Sequence, residues 1–115
     1  MKSQKHRKVV TYKDYFKKFF KSQNTSVQKK IVWTLELIED IDQVPETYLK
    51  HLTGTDGLYE VRVSISSNVY RIFCFFSGEQ LVVLMNAFQK KTRKTPKSEI
   101  SKALKIKEEY EQENK

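Results

Sequence analysis

The spacing of apolar residues changes near Gly57, and this change limits the fold more than any other feature of the chain. Before it, apolar residues recur every three or four positions, which is typical of helices with one buried face. After it, Tyr59, Val61, Val63 and Ile65 alternate with mostly polar residues, which is typical of a strand. The sequence therefore predicts an α+β domain whose first helices precede its main strands.

A short strand at 8–11 and two helices are predicted in the first half of the chain. Both helices are predicted to begin at capping boxes, formed by Thr11 with Asp14 and by Thr25 with Gln28. Pro45 ends the second helix, because proline cannot continue a helical hydrogen-bond ladder. The two helices form a helical hairpin.

Three strands and a last helix are predicted in the second half. The strands cover 58–65, 69–76 and 80–88, and their short turns indicate an antiparallel meander. Thr95 is predicted to cap the last helix, with Pro96 at its first position. The predicted order is (β)ααβββα in a single domain over residues 1–115, with flexible ends at 1–6 and 112–115.

The two hairpin turns predict which side chains meet. A two-residue turn at Ser66–Ser67 puts Arg62 opposite Arg71, and one at Gly78–Glu79 puts Arg71 opposite Asn86. One face of the sheet is then apolar and covered by helices. The other face presents a row of Arg62, Arg71 and Asn86, which is flanked by Glu60, Phe73 and Phe88 and extended by Lys90.

The two facing arginines indicate an anion site. Like charges opposite each other on neighbouring strands repel, and the guanidinium fork of arginine suits phosphate. Phe73 and Phe88 offer faces on which a base stacks. In the alternative interpretation, Glu60 bridges one or both arginines, and the row is an ordinary salt-bridged surface.

The charge distribution also favours a nucleic-acid partner. The chain has 22 basic and 14 acidic residues, a net charge of +8. Residues 1–30 hold ten bases against one acid, residues 90–97 hold five bases and no acid, and residues 36–56 hold six acids. Two basic surfaces separated by an acidic one suit RNA binding, although solvated surface charge is the alternative for each block.

The motifs along the three main strands resemble a known toxin superfamily. They read Leu-Tyr-Glu-Val-Arg at 58–62, Val-Tyr-Arg-Ile-Phe at 69–73 and Leu-Met-Asn-Ala-Phe-Gln-Lys-Lys-Thr at 84–92, followed by Lys-Thr-Pro at 94–96. This pattern resembles the RelE/ParE toxin superfamily, and within it the HigB branch, the phage Gp49-like proteins. The resemblance covers nearly the whole chain.

The resemblance implies a cytoplasmic toxin of a type II toxin–antitoxin system that cuts mRNA in the ribosomal A site, without a metal or a cofactor. By position, Arg62 and Arg71 grip the scissile phosphate, while Lys90 and Lys91 bind the backbone or stabilise the leaving group. The predicted RNA contacts are Glu60, Phe73, Asn86, Phe88, Arg93 and Lys94. The implied partners are a HigA-like helix-turn-helix antitoxin and the ribosome, and no membrane.

The chain departs from better-known relatives, which place a tyrosine, or a tyrosine and a histidine, near the end of the sheet. Here that region reads Lys90-Lys91-Thr92, so the group that moves the protons stays open. A lysine with a lowered pKa is one candidate, and Glu60, which otherwise orients Arg62, is a candidate base. The alternatives are a ParE-like toxin that poisons gyrase and a non-catalytic RNA- or ribosome-binding module.

The remaining notable side chains receive structural interpretations. His6 and His51 are predicted to be surface or loop residues, and Cys74 a buried small residue. An active-site role is the alternative for His51, because some relatives place active-site residues in the loop before the meander. Trp33 lies off the stripe of the second helix, and either packs between the hairpin helices or contributes to an interface. The single cysteine and the lack of a signal peptide fit a reducing cytoplasm.

Overall fold

The computed structural model describes residues 5–78 and 81–114. In chain order its elements are β1 (Lys8–Thr11), α1 (Tyr15–Lys21), α2 (Thr25–Asp40), β2 (Leu49–His51), β3 (Tyr59–Ile65), β4 (Asn68–Phe76), β5 (Leu81–Lys90) and α3 (Lys97–Glu113). The predicted α+β class and element order are confirmed, and β2 is an additional strand. The predicted turn residue Glu79 and strand residue Gln80 lie outside the described residues, as do residues 1–4 of the predicted flexible end.

The five strands form one sheet in the order β1-β5-β4-β3-β2. β2 through β5 pair antiparallel, as expected for a meander, whereas β1 runs parallel to β5. α1 and α2 follow β1, and the chain returns through β2 to β4 before β5 pairs with β1. β1 and β2 therefore form the two edges of the sheet.

The hairpin of β3 and β4 has the predicted register. Arg62 pairs with Arg71, and the strands join through the two-residue turn Ser66–Ser67. Ser66 has a φ of 54°, in the left-handed region that hairpin turns of this length use.

The predicted register between β4 and β5 is wrong. Arg71 pairs with Phe88 rather than with Asn86. Next to the turn the ladder already differs by one residue, because Cys74 pairs with Leu84 rather than with the predicted Val83, so the two-residue turn at Gly78–Glu79 was also wrong. A β-bulge adds the second residue of the difference, since Met85 and Asn86 of β5 together oppose the single residue Phe73 of β4. Every residue after the bulge is displaced relative to an uninterrupted ladder.

The predicted helix caps are also wrong, although the helices themselves exist. Asp14 precedes α1 without a side-chain cap hydrogen bond. α2 is capped by Asn24, whose Oδ1 accepts a hydrogen bond from the Val27 amide at 3.0 Å. α2 ends at Asp40, before Pro45. Pro96, and not Thr95, is the cap residue of α3.

Helices cover both faces of the sheet, whereas one covered face was predicted. α1 and α2 pack against one face, around Phe16, Ile31, Ile38, Val61 and Ile72. α3 packs against the other face, where it helps to bury Phe73, Phe75 and Met85. The cationic residues therefore occupy only part of that second face. No helix within the described residues has the length and apolar character needed to cross a membrane.

Part of the basic N-terminal segment pairs with the acidic end of α2. Lys5 Nζ lies 2.7 Å from Glu39 Oε1, and the Val9 amide donates to Glu39 Oε2 at 2.9 Å. The Arg7 guanidinium donates to the carbonyls of Ile38, Ile41 and Asp42, which satisfies acceptors at the helix end. This positive charge is therefore used inside the fold rather than on a free basic surface.

Candidate active site

Four neighbouring strands, β2 to β5, bring five charged side chains to the α3 face of the sheet. Lys50 pairs with Glu60 across β2 and β3, and Arg62 pairs with Arg71 across β3 and β4. Lys90 pairs with Val69, two residues from Arg71 on the same face. We call Lys50, Glu60, Arg62, Arg71 and Lys90 the cationic cluster. It holds four cations and one carboxylate.

Glu60 is the centre of the cationic cluster. Its side chain is buried, and its Oε1 lies 3.3 Å from Nε of Arg62 and 3.3 Å from Nε of Arg71. The Thr95 hydroxyl donates to Glu60 Oε2 at 3.4 Å, which ties the loop before α3 to the cluster. The predicted alternative that Glu60 bridges both arginines is therefore confirmed by these two distances. The carboxylate reduces the repulsion between the arginines and fixes their positions.

The two arginines differ in exposure. The Arg71 side chain is 9% exposed, and its Nη1 donates to the Tyr70 carbonyl at 3.1 Å. The Arg62 side chain is 27% exposed, and its Nη1 donates to the Glu46 carbonyl at 3.4 Å. Arg62 therefore offers the larger surface to an incoming anion, and Arg71 contributes positive charge from a mostly buried position beside it.

Burial, and to a lesser degree the neighbouring cations, lowers two pKa values in the cationic cluster. Burial lowers the pKa of Lys90, and the nearby Arg71 lowers it further, while Glu60 acts in the opposite direction. Burial also lowers the pKa of Arg71, with Glu60 again opposing the shift and Arg62 contributing to it. Both pKa shifts express the cost of burying a cation, increased by the other cations beside it, and a bound polyanion would relieve that cost.

Asn86 does not join the arginine row. Its Nδ2 donates to the Glu99 carbonyl at 3.3 Å and to Glu99 Oε1 at 3.2 Å. The shifted register of β5 is the reason, because it places Phe88 rather than Asn86 opposite Arg71. The interaction of Asn86 with Glu99 instead fixes the first turn of α3 against the sheet.

The two phenylalanines beside the row have different environments. Their rings stack, with centroids 5.6 Å apart and an interplanar angle of 30°. Phe73 is fully buried beneath α3, so no base reaches its faces in this structure. Phe88 is only half-buried and is the ring that remains accessible next to Arg71.

The loop between β5 and α3 supplies further positive charge. Lys91, Arg93 and Lys94 are exposed, and within the described residues none of them forms an ion pair. The Thr92 hydroxyl donates to the Lys94 carbonyl at 2.8 Å, which shapes the loop. The predicted loop cations are thus free to contact a ligand that reaches the cationic cluster.

Sequence reasoning missed Lys50 and Thr95 as members of this site. Lys50 lies on β2, which has only three residues and so shows no alternating pattern. Thr95 was interpreted as a helix cap. His51 points to the opposite face of the sheet, where its ring lies 5.1 Å from that of Tyr59. In the described part of the chain, no group of three or more His, Cys, Asp or Glu residues is arranged to hold a metal ion.

A family model shows which family this chain belongs to. Residues 18–108 match the model of the phage-derived Gp49-like protein family (DUF891). The chain therefore belongs to the Gp49-like family, which is a family of RelE/HigB-type toxins. Membership implies a toxin of a toxin–antitoxin pair, with an antitoxin as partner. A search of curated proteins gave no match.

Proposed function

We propose that this protein is a HigB-type toxin of a type II toxin–antitoxin system that cuts mRNA in the ribosomal A site. The observation that carries the proposal is the cationic cluster, where four cations lie around one buried carboxylate, which forms ion pairs with the two arginines. Such an arrangement is suited to a phosphate that gains negative charge during the reaction. The family match supports the toxin class, and the ribonuclease activity rests on the cluster.

The proposed reaction is an internal transesterification of RNA. The ribose 2′-oxygen attacks the adjacent phosphorus and loses its proton to solvent, while the bond from phosphorus to the 5′-oxygen breaks. The upstream fragment keeps a cyclic phosphate, and the downstream fragment leaves with a 5′-hydroxyl. The transition state gathers negative charge on phosphate oxygens, which preorganised cations stabilise most strongly where water is excluded.

Each member of the cationic cluster receives a role in this reaction. Arg62 and Arg71 bind the phosphate oxygens, and Glu60 positions both arginines. Lys90 donates a proton to the departing 5′-oxygen, because its lowered pKa makes it a better acid than an ordinary lysine. Lys50 adds positive charge beside Glu60.

The residues around the cluster bind RNA without taking part in bond breaking. Lys91, Arg93 and Lys94 contact phosphates along the strand, and Phe88 stacks on a base. Asn86 and Phe73, which were predicted to contact RNA, act instead through the position of α3 and the core. A HigA-like helix-turn-helix protein is the proposed antitoxin, and the cytoplasm, where ribosomes translate, is the proposed site of action.

Primer extension on a translated mRNA, with and without ribosomes, tests the proposal. We expect cleavage only when ribosomes are present, and loss of cleavage in Arg71→Ala, with Lys105→Ala as the control on an exposed lysine of α3. Absence of cleavage under both conditions would contradict the proposal. Inhibition of gyrase supercoiling would then identify the ParE-like alternative, and ribosome binding alone would identify a non-catalytic module.

A further inference from the structure

The outer face of α2 exposes two large apolar side chains. Val32 is 43% exposed and Trp33 is 45% exposed, and they are the exposed large hydrophobic residues of the described part of the chain. Trp33 was predicted either to pack between the hairpin helices or to contribute to an interface. Because its side chain is exposed, the structure favours a role in an interface. One side of its ring contacts Lys30, whose Nζ lies 4.2 Å from the centroid, and Tyr48 packs against its edge.

These side chains border a groove that an aromatic ring fits. The groove has a volume of about 340 Å³, and Phe20, Val32 and Trp33 form its apolar part. Lys29 lies at one end and Glu36 at the other. α2 packs against the face of the sheet opposite the cationic cluster, so a molecule in this groove leaves the cluster open.

The charges on this face are complementary to a second copy of the same helix. Lys29 lies three residues before Val32, and Glu36 lies three residues after Trp33. If two α2 helices pack antiparallel about a twofold axis between Val32 and Trp33, Lys29 of each copy faces Glu36 of the other. Residues three apart on a helix share a face, so both pairs form beside the apolar centre.

We propose that α2 is a homodimer interface, in which two copies pack antiparallel through Val32, Trp33, Lys29 and Glu36. Trp33 of each copy inserts into the groove beside Phe20 of the other. The twofold symmetry explains why one helix carries both a lysine and a glutamate at matched distances from an exposed apolar pair, because an isologous contact requires a self-complementary surface. This inference is independent of the ribonuclease activity.

Sedimentation velocity over a range of concentrations tests the interface on the full chain. We expect a monomer–dimer equilibrium with a Kd on the order of 10–100 µM, since a single exposed helix face is smaller than a standard interface. Trp33 is the single tryptophan of the chain, so its emission moves to shorter wavelength as the dimer forms. Val32→Asp removes both signals, while its circular dichroism spectrum stays that of the native chain.

Charge exchange separates this dimer from other associations. K29E weakens the dimer about tenfold, because symmetry replaces two attractive pairs by two repulsive ones. The matched control K97E makes the same change in net charge on α3 and leaves the Kd unchanged. The K29E/E36K double variant, and an equimolar mixture of the K29E and E36K chains, regain dimerisation.

Three outcomes overturn the proposal. The first is a chain that stays monomeric with unchanged Trp33 emission up to about 200 µM, which leaves the groove to a different protein. The second is a dimer that Val32→Asp does not weaken. The third is a charge-exchange double variant that dimerises no better than K29E alone.

Discussion

Arg62 and Arg71 lie directly opposite each other on β3 and β4, and a single oxygen of Glu60 lies 3.3 Å from Nε of both. The negative charge of Glu60 offsets the repulsion between the two guanidinium groups, so the folded protein tolerates them side by side. A single carboxylate also leaves the cationic cluster with more positive than negative charge. Single substitutions in the cluster and beside it separate these two consequences.

Arg71→Ala is expected to lower the rate of mRNA cleavage by about 10²–10³-fold, the usual effect of removing one preorganised group that stabilises transition-state charge. Arg71 is mostly shielded from solvent, so it contributes to charge stabilisation more than to initial binding. Single-turnover cleavage and ribosome binding by the same variant measure the two effects. If affinity falls in proportion to cleavage, and the salt dependence of binding falls by about one ion, Arg71 only binds RNA.

Glu60→Gln is expected to move the alkaline limit of cleavage to lower pH. Glu60 raises the pKa of Lys90, so its neutralisation lowers that pKa further, and Lys90 loses its proton at a lower pH. If Lys90 is the proton donor, the rate then declines earlier as the pH rises. A pH–rate profile measures the shift, with Lys90→Arg as the control that removes this titration from the profile.

Phe73→Leu is expected to lower the stability of the fold, whereas Phe88→Leu is expected to weaken RNA binding. Phe73 is fully buried, so the smaller side chain destabilises the fold by about 1–2 kcal/mol, less than the 3–5 kcal/mol typical of truncation to alanine. Phe88 is half-buried beside Arg71, so its replacement weakens RNA binding by about 1 kcal/mol or more through lost stacking. Urea unfolding and RNA titration of both variants check the pair. Equal losses of RNA binding would contradict the assignment.

Glu39→Gln is expected to destabilise the protein by about 1–2 kcal/mol at neutral pH, because a charged acceptor is lost from Lys5 and the Val9 amide. Burial raises the pKa of Glu39, but these hydrogen bonds prevail and hold it below its usual value. The stabilisation is therefore complete above the unfolded pKa and is lost as the pH falls through the lower folded pKa. Urea unfolding from neutral to acidic pH measures it, and the two proteins should converge in acid.

The sequence predicts the elements of this fold well, because their signals are local. The change of period near Gly57 separates the first helices from the meander, and the two-residue turn at Ser66–Ser67 is enough to pair Arg62 with Arg71. β2 has no such signal, since three residues cannot show an alternating pattern. Asn24 was missed as a cap because Thr25 and Gln28 formed a competing motif beside it.

The site was predicted in part for the same reason. Arg62, Arg71 and Glu60 lie within one hairpin, whose register depends on a single turn. Asn86 lies across a second pairing, in which the ladder is one residue from the predicted register beside the turn and a bulge adds a second, and no local pattern marks that bulge. The interpretation of Phe73 as an exposed ring was wrong because α3 returns to cover it.

What the sequence by itself determined is the family, the α+β class and the pair of arginines that face each other across one turn. Only the tertiary structure decided that Glu60 bridges both arginines, that Lys50 and Thr95 reach the same cluster and that Asn86 binds Glu99. Periodicity and turn chemistry act over a few residues and are visible in the sequence. The partners of a buried charge depend on how distant segments pack. The whole fold brings together the groups that compensate the desolvation of that charge.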